Sequence, residues 1–145
     1  MRVQDYHRKI KKANGQAKQM QKQAVRKIQP LIIQLNKNQL AEGIRTDGQK
    51  LLPKYKDTGY ALKKRSMNPK PGFGTPDLFL TGKFYGGFKV DLGASAFKIL
   101  SKGVDYAKYI EGRYIKIYGL TKNHLSEVTQ TATREFVSLW KRAVK

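Results

Sequence analysis

The 145-residue sequence contains no cysteine, which removes disulfides, thiolate metal sites and cysteine nucleophiles from consideration and leaves the redox compartment open. Acidic side chains are also scarce: ten Asp and Glu stand against thirty Lys and Arg, a formal net charge of +20. Carboxylates this few and scattered form neither a general acid–base pair nor the several metal ligands that a nuclease needs. The two histidines, His7 and His124, fall on predicted helices without partners at metal-ligand spacing, so both read as surface residues. There is no glycine-rich phosphate loop or nucleophile elbow, and Gly82, Gly86 and Gly87 do not match a dinucleotide fingerprint. Apolar runs stop after a few residues, far short of a membrane span. The opening MRVQDYHRKIKK has no apolar stretch behind its basic residues and does not read as a secretory signal. These absences argue against an enzyme, against a bound metal or cofactor, and against a membrane partner.

What the chain has in abundance is positive charge, unevenly spread. Residues 1–45 hold eleven basic and two acidic side chains, residues 46–70 seven and two, and residues 71–145 twelve and six. A field of this sign attracts polyanions and opposes the crowding of identical copies unless something acidic neutralises it.

Val3, Tyr6, Ile10, Ala13, Ala17, Met20 and Ala24 recur at alternating steps of three and four, and Ile28, Leu31 and Leu35 continue the stripe after one shifted step. This narrow heptad seam predicts a helix from Val3 to Ile28. Gly15 weakens it by about 1 kcal/mol relative to alanine. Pro30, lacking a backbone N–H, predicts a kink or restart near Gln29 and a shorter helix over residues 30–36. Residues 1–37 thus read as a basic helical arm. Its seam packs either on the chain's own sheet or, as a protruding arm, on a neighbouring copy or another protein.

Residues 38–145 read as an α+β domain: a small antiparallel β-sheet packed against helices and closed by an amphipathic C-terminal helix. Asp47-Gly48 marks a turn. Proline and glycine crowd residues 68–76, so 62–77 reads as a Lys/Pro/Gly-rich loop, mobile before assembly. Tyr55, Tyr60 and Phe73 lie between its charges, either anchoring the loop or offering a stacking surface for nucleic acid. Leu78, Leu80, Phe84 and Phe88 supply apolar contacts, and Thr81-Gly82 breaks the run into a turn or single helical turn. Phe88, Val90 and Leu92 then alternate with Lys89 and Asp91, Gly93–Ser95 turns, and residues 96–100 form the second strand of a hairpin. A helical turn near residues 105–110 and a short strand over Tyr114–Tyr118 follow. Thr121 is a candidate N-cap for the last helix. Leu125, Val128, Ala132, Phe136, Leu139 and Ala143 are its apolar face, widened by Trp140 and Val144.

EGIRTDGQKLLPKY, LFLTGKFYGGFKV, and YAKYIEG followed by IYGLT before a final helix span about three quarters of the chain. This order of elements resembles the tail-completion, virion-morphogenesis and head–tail joining (neck) structural proteins of tailed bacteriophages. The resemblance implies a homo-oligomeric ring, hexameric or dodecameric, that completes the tail or joins it to the portal and neighbouring neck and tail proteins. It implies a location in the virion after synthesis in the bacterial host cytoplasm. It also implies that Thr81 and Gly82 set the turn before the hairpin and that the segment from Tyr106 through Tyr109 to Glu111 lies near the ring interface. Seam residues Val3, Tyr6, Ile10, Ala13, Ala17 and Met20 join these as interface candidates. The rival expectation is a basic nucleic-acid-binding protein for DNA packaging or protection. Its phosphate contacts, or contacts to DNA in the channel, would come from Lys9, Lys11, Lys12, Lys63, Lys64 and Arg65.

Overall fold

The computed structural model describes residues 2–94 and 96–145. It is an α+β fold with seven helices and a two-stranded antiparallel sheet among these residues: α1 (Val3–Gly15), α2 (Ala17–Lys27), α3 (Gln29–Ala41), α4 (Thr58–Met67), α5 (Lys83–Gly86), β1 (Phe88–Leu92), β2 (Phe97–Ser101), α6 (Ala107–Arg113) and α7 (Lys122–Val144). None of these helices is long and apolar enough to cross a membrane. The chain forms two compact units, one of Met1–Pro30 with Ser126–Lys145 and one of Leu31–Leu125.

In the first unit the heptad seam packs against the chain's own last helix. Ala13, Met20 and Val144 are buried together, with Ile10, Phe136, Leu139 and Trp140 packed against them. Polar contacts fix an antiparallel pairing. Lys9 donates to the Lys145 carbonyl at 2.6 Å, Trp140 Nε1 to Asn14 Oδ1 at 3.3 Å, and Lys27 pairs with Glu135 at 2.6 Å. Two narrow stripes therefore bury each other, which supplies the tertiary contact that a polar helix needs. The single helix expected over residues 3–28 is instead two, interrupted at Gln16 directly after Gly15.

The second unit begins with the greater part of α3. Pro30 occupies the first turn of that helix, where a missing N–H loses no intrahelical bond, and the restart expected near Gln29 occurs there. The helix runs past Asn36 to Ala41 and ends at Gly43. The Ile44 N–H reaches the Gln39 carbonyl at 3.0 Å and the Gly43 N–H that of Leu40 at 2.8 Å, with Gly43 at φ +70°. That is a Schellman cap. A Cβ on Gly43 would also stand 2.7 Å from Thr75 Cγ2 and 3.0 Å from the Pro76 carbonyl, so the site admits only glycine.

Asn36 and Gln39 of α3 are buried, and their amides explain why Tyr114–Tyr118 is not the expected strand. Asn36 Nδ2 donates to the Ile117 carbonyl at 3.0 Å, and Gln39 Oε1 accepts from the Thr121 N–H at 2.9 Å. The Lys116 carbonyl accepts from Thr46 N–H at 2.9 Å, and Lys116 itself is at φ +55°. The segment's backbone groups are thus used by side chains and a turn instead of a ladder. His124, expected at the surface, is half-buried with Nδ1 3.4 Å from Gln39 Oε1. The helix α7 begins right after Thr121, whose carbonyl accepts from the Leu125 N–H at 2.8 Å.

The hairpin pairs Phe88 with Ser101 through Leu92 with Phe97, close to expectation; of its turn, Ser95 lies outside the described residues. The Asp47-Gly48 turn is present, with Gly48 at φ +82°. The Gln49 N–H, then Arg45 and Lys116, hold the exposed Asp47 carboxylate down to about 2 from 3.8.

The expected loop 62–77 needs the largest revision. Its first six residues belong to α4, which Asp57 caps by accepting from the Tyr60 N–H at 2.6 Å. Pro71, Gly74, Thr75, Pro76 and Asp77 are buried. Lys64 and Asp77 form an ion pair of 2.7 Å whose side chains are 6% and 3% exposed. Lys64 also donates to the Phe79 carbonyl, and Asn68 bridges Asp77 Oδ2 at 3.0 Å and the Ala41 carbonyl at 2.8 Å. The Tyr85 hydroxyl donates to the Asp77 carbonyl.

Two outcomes test this framework. Asp77→Leu strands a buried ammonium and should cost about 3–5 kcal/mol in denaturant unfolding, whereas Lys64→Met/Asp77→Leu should recover much of that loss. Equal or additive losses would show that the two charges are not coupled. The Asp47 carboxyl should titrate near 2, and Arg45→Gln/Lys116→Gln should move it toward 3.8 in an NMR titration. Because its folded pKa is depressed, its stabilising contribution is present above 3.8 and is lost as pH falls through about 2.

Candidate interaction surfaces

The Leu80-Thr81-Gly82 element leads into α5 through a left-handed Gly82, φ +84°, where a Cβ would crowd the Phe79 ring at 3.3 Å. The turn sends Phe84 and Tyr85 into the core, where they meet Phe88, Phe79 and Tyr118 at ring-centroid distances of 5.1–6.4 Å. Burial, followed by Asp77 and Tyr55, pushes the Tyr85 phenol far above its usual range, so it remains a donor. Gly87 then lets the chain pass the end of β2: a Cβ there would lie 2.5 Å from Ser101 Oγ, 2.6 Å from Val104 Cγ2 and 2.9 Å from the Lys102 carbonyl. The Lys102 N–H closes this approach onto the Gly87 carbonyl at 2.8 Å.

The result is an open concavity of about 320 Å³, lined by Lys83, Gly86 and Gly87 on one side and by residues 102–106 on the other. The concavity therefore joins Lys83, the residue after the Thr81-Gly82 turn, with Tyr106, the first residue of the Tyr106–Glu111 segment. Apolar residues close to both in sequence are left in solvent. Leu80, three residues before Lys83, is 67% exposed, and Tyr109, one turn beyond Tyr106, is 71% exposed. Leu80 is thus not the core contact expected of it. Lys108 Nζ lies 5.3 Å from the Tyr109 ring centroid. Glu111 is exposed and accepts from the Tyr118 hydroxyl at 2.7 Å.

A second exposed apolar group was not legible in the sequence because α4 was not. Leu62 and Met67 stand out from α4, and Phe73 follows on the next loop under Arg65, 5.4 Å from its ring centroid. Tyr60 packs edge-on against Tyr55 at 4.9 Å, the anchoring arrangement rather than a free stacking platform.

The remaining candidates separate by burial. Val3 and Tyr6 are exposed, Ala17 and Ile10 are half-buried, and Ala13 and Met20 are enclosed by the chain itself. Of the candidate polyanion contacts, Lys11, Lys12, Lys63 and Arg65 are exposed, and Lys9 is half-buried on the Lys145 carbonyl. Lys64 is corrected: its ammonium is enclosed and paired with Asp77, so it has no free charge to offer a phosphate. Among the described residues no group of three or more His, Asp or Glu is arranged to hold a metal ion. Comparison with protein-family models, with curated proteins and with solved structures gives no match to this chain.

The glycines of the concavity give a sharp contrast. Gly87→Ala should destabilise by about 1–3 kcal/mol, because Lys102 backbone as well as side chains must move. Gly86→Ala meets nothing within 4 Å and should stay within about 1 kcal/mol of the parent in the same unfolding experiment.

Proposed function

We propose that this chain is a structural virion protein of a tailed bacteriophage that forms or completes a ring at the neck or the head-proximal end of the tail. The observation that carries the reading is the concavity at Lys83–Gly87 and residues 102–106, with Leu80 and Tyr109 exposed beside it in sequence. On this reading Leu80 and Tyr109 belong to one interaction surface at the concavity, since a contiguous apolar patch in solvent marks such surfaces. The Leu62, Met67 and Phe73 group offers a second, different surface. A ring needs this combination, since each copy presents one patch to its neighbour's unlike patch. Its other partners are the adjoining neck, tail or portal proteins, whose acidic faces would offset the +20 charge.

Native mass spectrometry of the purified chain should find a closed oligomer. Because each copy is strongly cationic, assembly should strengthen as salt rises from about 0.05 to 0.5 M and the Debye length shortens. Leu80→Asp/Tyr109→Asp and Leu62→Asp/Met67→Asp should each give monomers. Mixed together they retain one intact pair of patches and should form a 1:1 dimer and nothing larger. A chain that stays monomeric at every salt concentration, or variants that leave the oligomer intact, would overturn the reading.

A further inference from the structure

The first compact unit has a second surface that the ring reading does not use. Its 50 residues carry thirteen Lys and Arg against three Asp and Glu, a net +10, as much as the 95 residues of the second unit. Two of the three acids are already engaged, Asp5 by Arg8 at 2.5 Å and Glu135 by Lys27 at 2.6 Å. The helical rod carries Lys11, Lys18, Lys22 and Arg26 at successive steps of seven, four and four, with Lys12 beside them. All five are exposed, and none forms an ion pair among the described residues. The buried seam of Ala13, Met20 and Ala24 lies on the opposite side of the cylinder. At Gln16 the rod is bent but not cut, since Gln16 N–H donates to the Lys12 carbonyl and Met20 N–H to the Gln16 carbonyl.

We propose that this strip, Lys11, Lys12, Lys18, Lys22 and Arg26, docks along the phosphate backbone of a nucleic-acid duplex. Fifteen residues at about 1.5 Å each span about 22 Å, enough to meet several phosphates of one rigid groove edge. Three features favour a duplex. Between the cations lie the exposed Gln19, Gln21 and Gln23, whose amides donate to phosphate oxygens as lysines do. No aromatic or large aliphatic residue occurs among these exposed positions, so the strip lacks the apolar anchor on which a protein interface turns. It equally lacks the aromatic platforms on which single strands stack. The bond type is sequence-independent, so the strip recognises the polyanion and not a base sequence.

Fluorescence anisotropy with a 30-base-pair random DNA duplex tests this directly. With four to five phosphates neutralised, log K should fall against log salt with a slope of about −4. Lys18→Gln/Lys22→Gln should reduce the slope to about −2 and weaken binding roughly tenfold at 0.1 M salt, and Lys18→Arg/Lys22→Arg should bind as the parent does. Glutamine keeps a good helix propensity, and circular dichroism checks that helicity is unchanged. Lys56→Gln/Lys89→Gln removes the same charge from exposed positions of the second unit and should leave the slope unaltered. Equal losses from both glutamine pairs would reduce the attraction to net charge and overturn the proposal. Tighter binding of single-stranded oligo-dT or of polyglutamate than of the duplex would overturn it too. This binding does not depend on self-association, so it stands or falls separately from the ring.

Discussion

The second unit hangs on one enclosed pair of charges. Lys64 from α4 and Asp77 from the chain after the proline-rich stretch meet at 2.7 Å with almost no solvent around them. An ammonium and a carboxylate do not stay charged in such a place unless each remaining bonding direction is used. Here both groups have further partners: Asn68 and the Phe79 N–H serve the carboxylate, and the Phe79 carbonyl serves the ammonium. Through Asn68 the arrangement reaches the end of α3, and through the Tyr85 hydroxyl it reaches α5. Four separated pieces of sequence are thereby held in one geometry. That geometry aims the Leu80-Thr81-Gly82 turn and opens the concavity beside it.

The buried pair also explains which parts of the fold were legible. Patterns that recur locally were readable: the heptad seam, the alternation in Phe88–Leu92, the amphipathic last helix and the Asp47-Gly48 turn. Each is written in the spacing of neighbouring residues, so local periodicity suffices. The helix α4 was missed because its mean character is basic and polar, and besides Ala61 the residue it buries is a lysine in its middle. Nothing in the spacing of Lys64 distinguishes it from Lys63, which is exposed. Its distinction comes from an aspartate thirteen residues away. The strand expected at Tyr114–Tyr118 failed for a related reason. Asn36, some eighty residues earlier, takes up the Ile117 carbonyl and the Thr46 N–H the Lys116 carbonyl, while Gln39 holds Gly119 and Thr121 just beyond the segment. Asp57 ahead of Thr58 was the one local signal for α4, a capping residue at a helix start.

The site was legible to a different degree. Gly82 follows from the need for a left-handed residue at the turn, and Gly87 from a close approach that only the assembled fold reveals. The basic strip was visible in the sequence as charge but not as a surface. Only when α7 covers the seam does one side of the rod become committed and the other free. Lys9 and Lys27, two residues before and one residue after the strip, are drawn to the Lys145 carbonyl and to Glu135.

The two proposed interactions draw on different units of the chain. The second unit leaves large apolar residues such as Leu80 and Tyr109 in solvent among its charges, and these favour contact with other copies or other proteins. In the first, the strip from Lys11 to Arg26 is cationic and carries no large apolar residue, which favours a polyanion. These preferences respond oppositely to ionic strength, since salt screens repulsion between copies and competes with phosphate contacts. A chain of net +20 therefore gains most when both are satisfied together. A bound polyanion would neutralise the first unit and lower the repulsion that identical copies must overcome. Duplex DNA and copies of this chain should then favour each other's binding at low salt, where self-association alone is weakest. The coupling needs no conformational signal between the units, because charge neutralisation acts through space. It would appear as a lower protein concentration for oligomer formation when a duplex is present, and it would vanish in Lys18→Gln/Lys22→Gln.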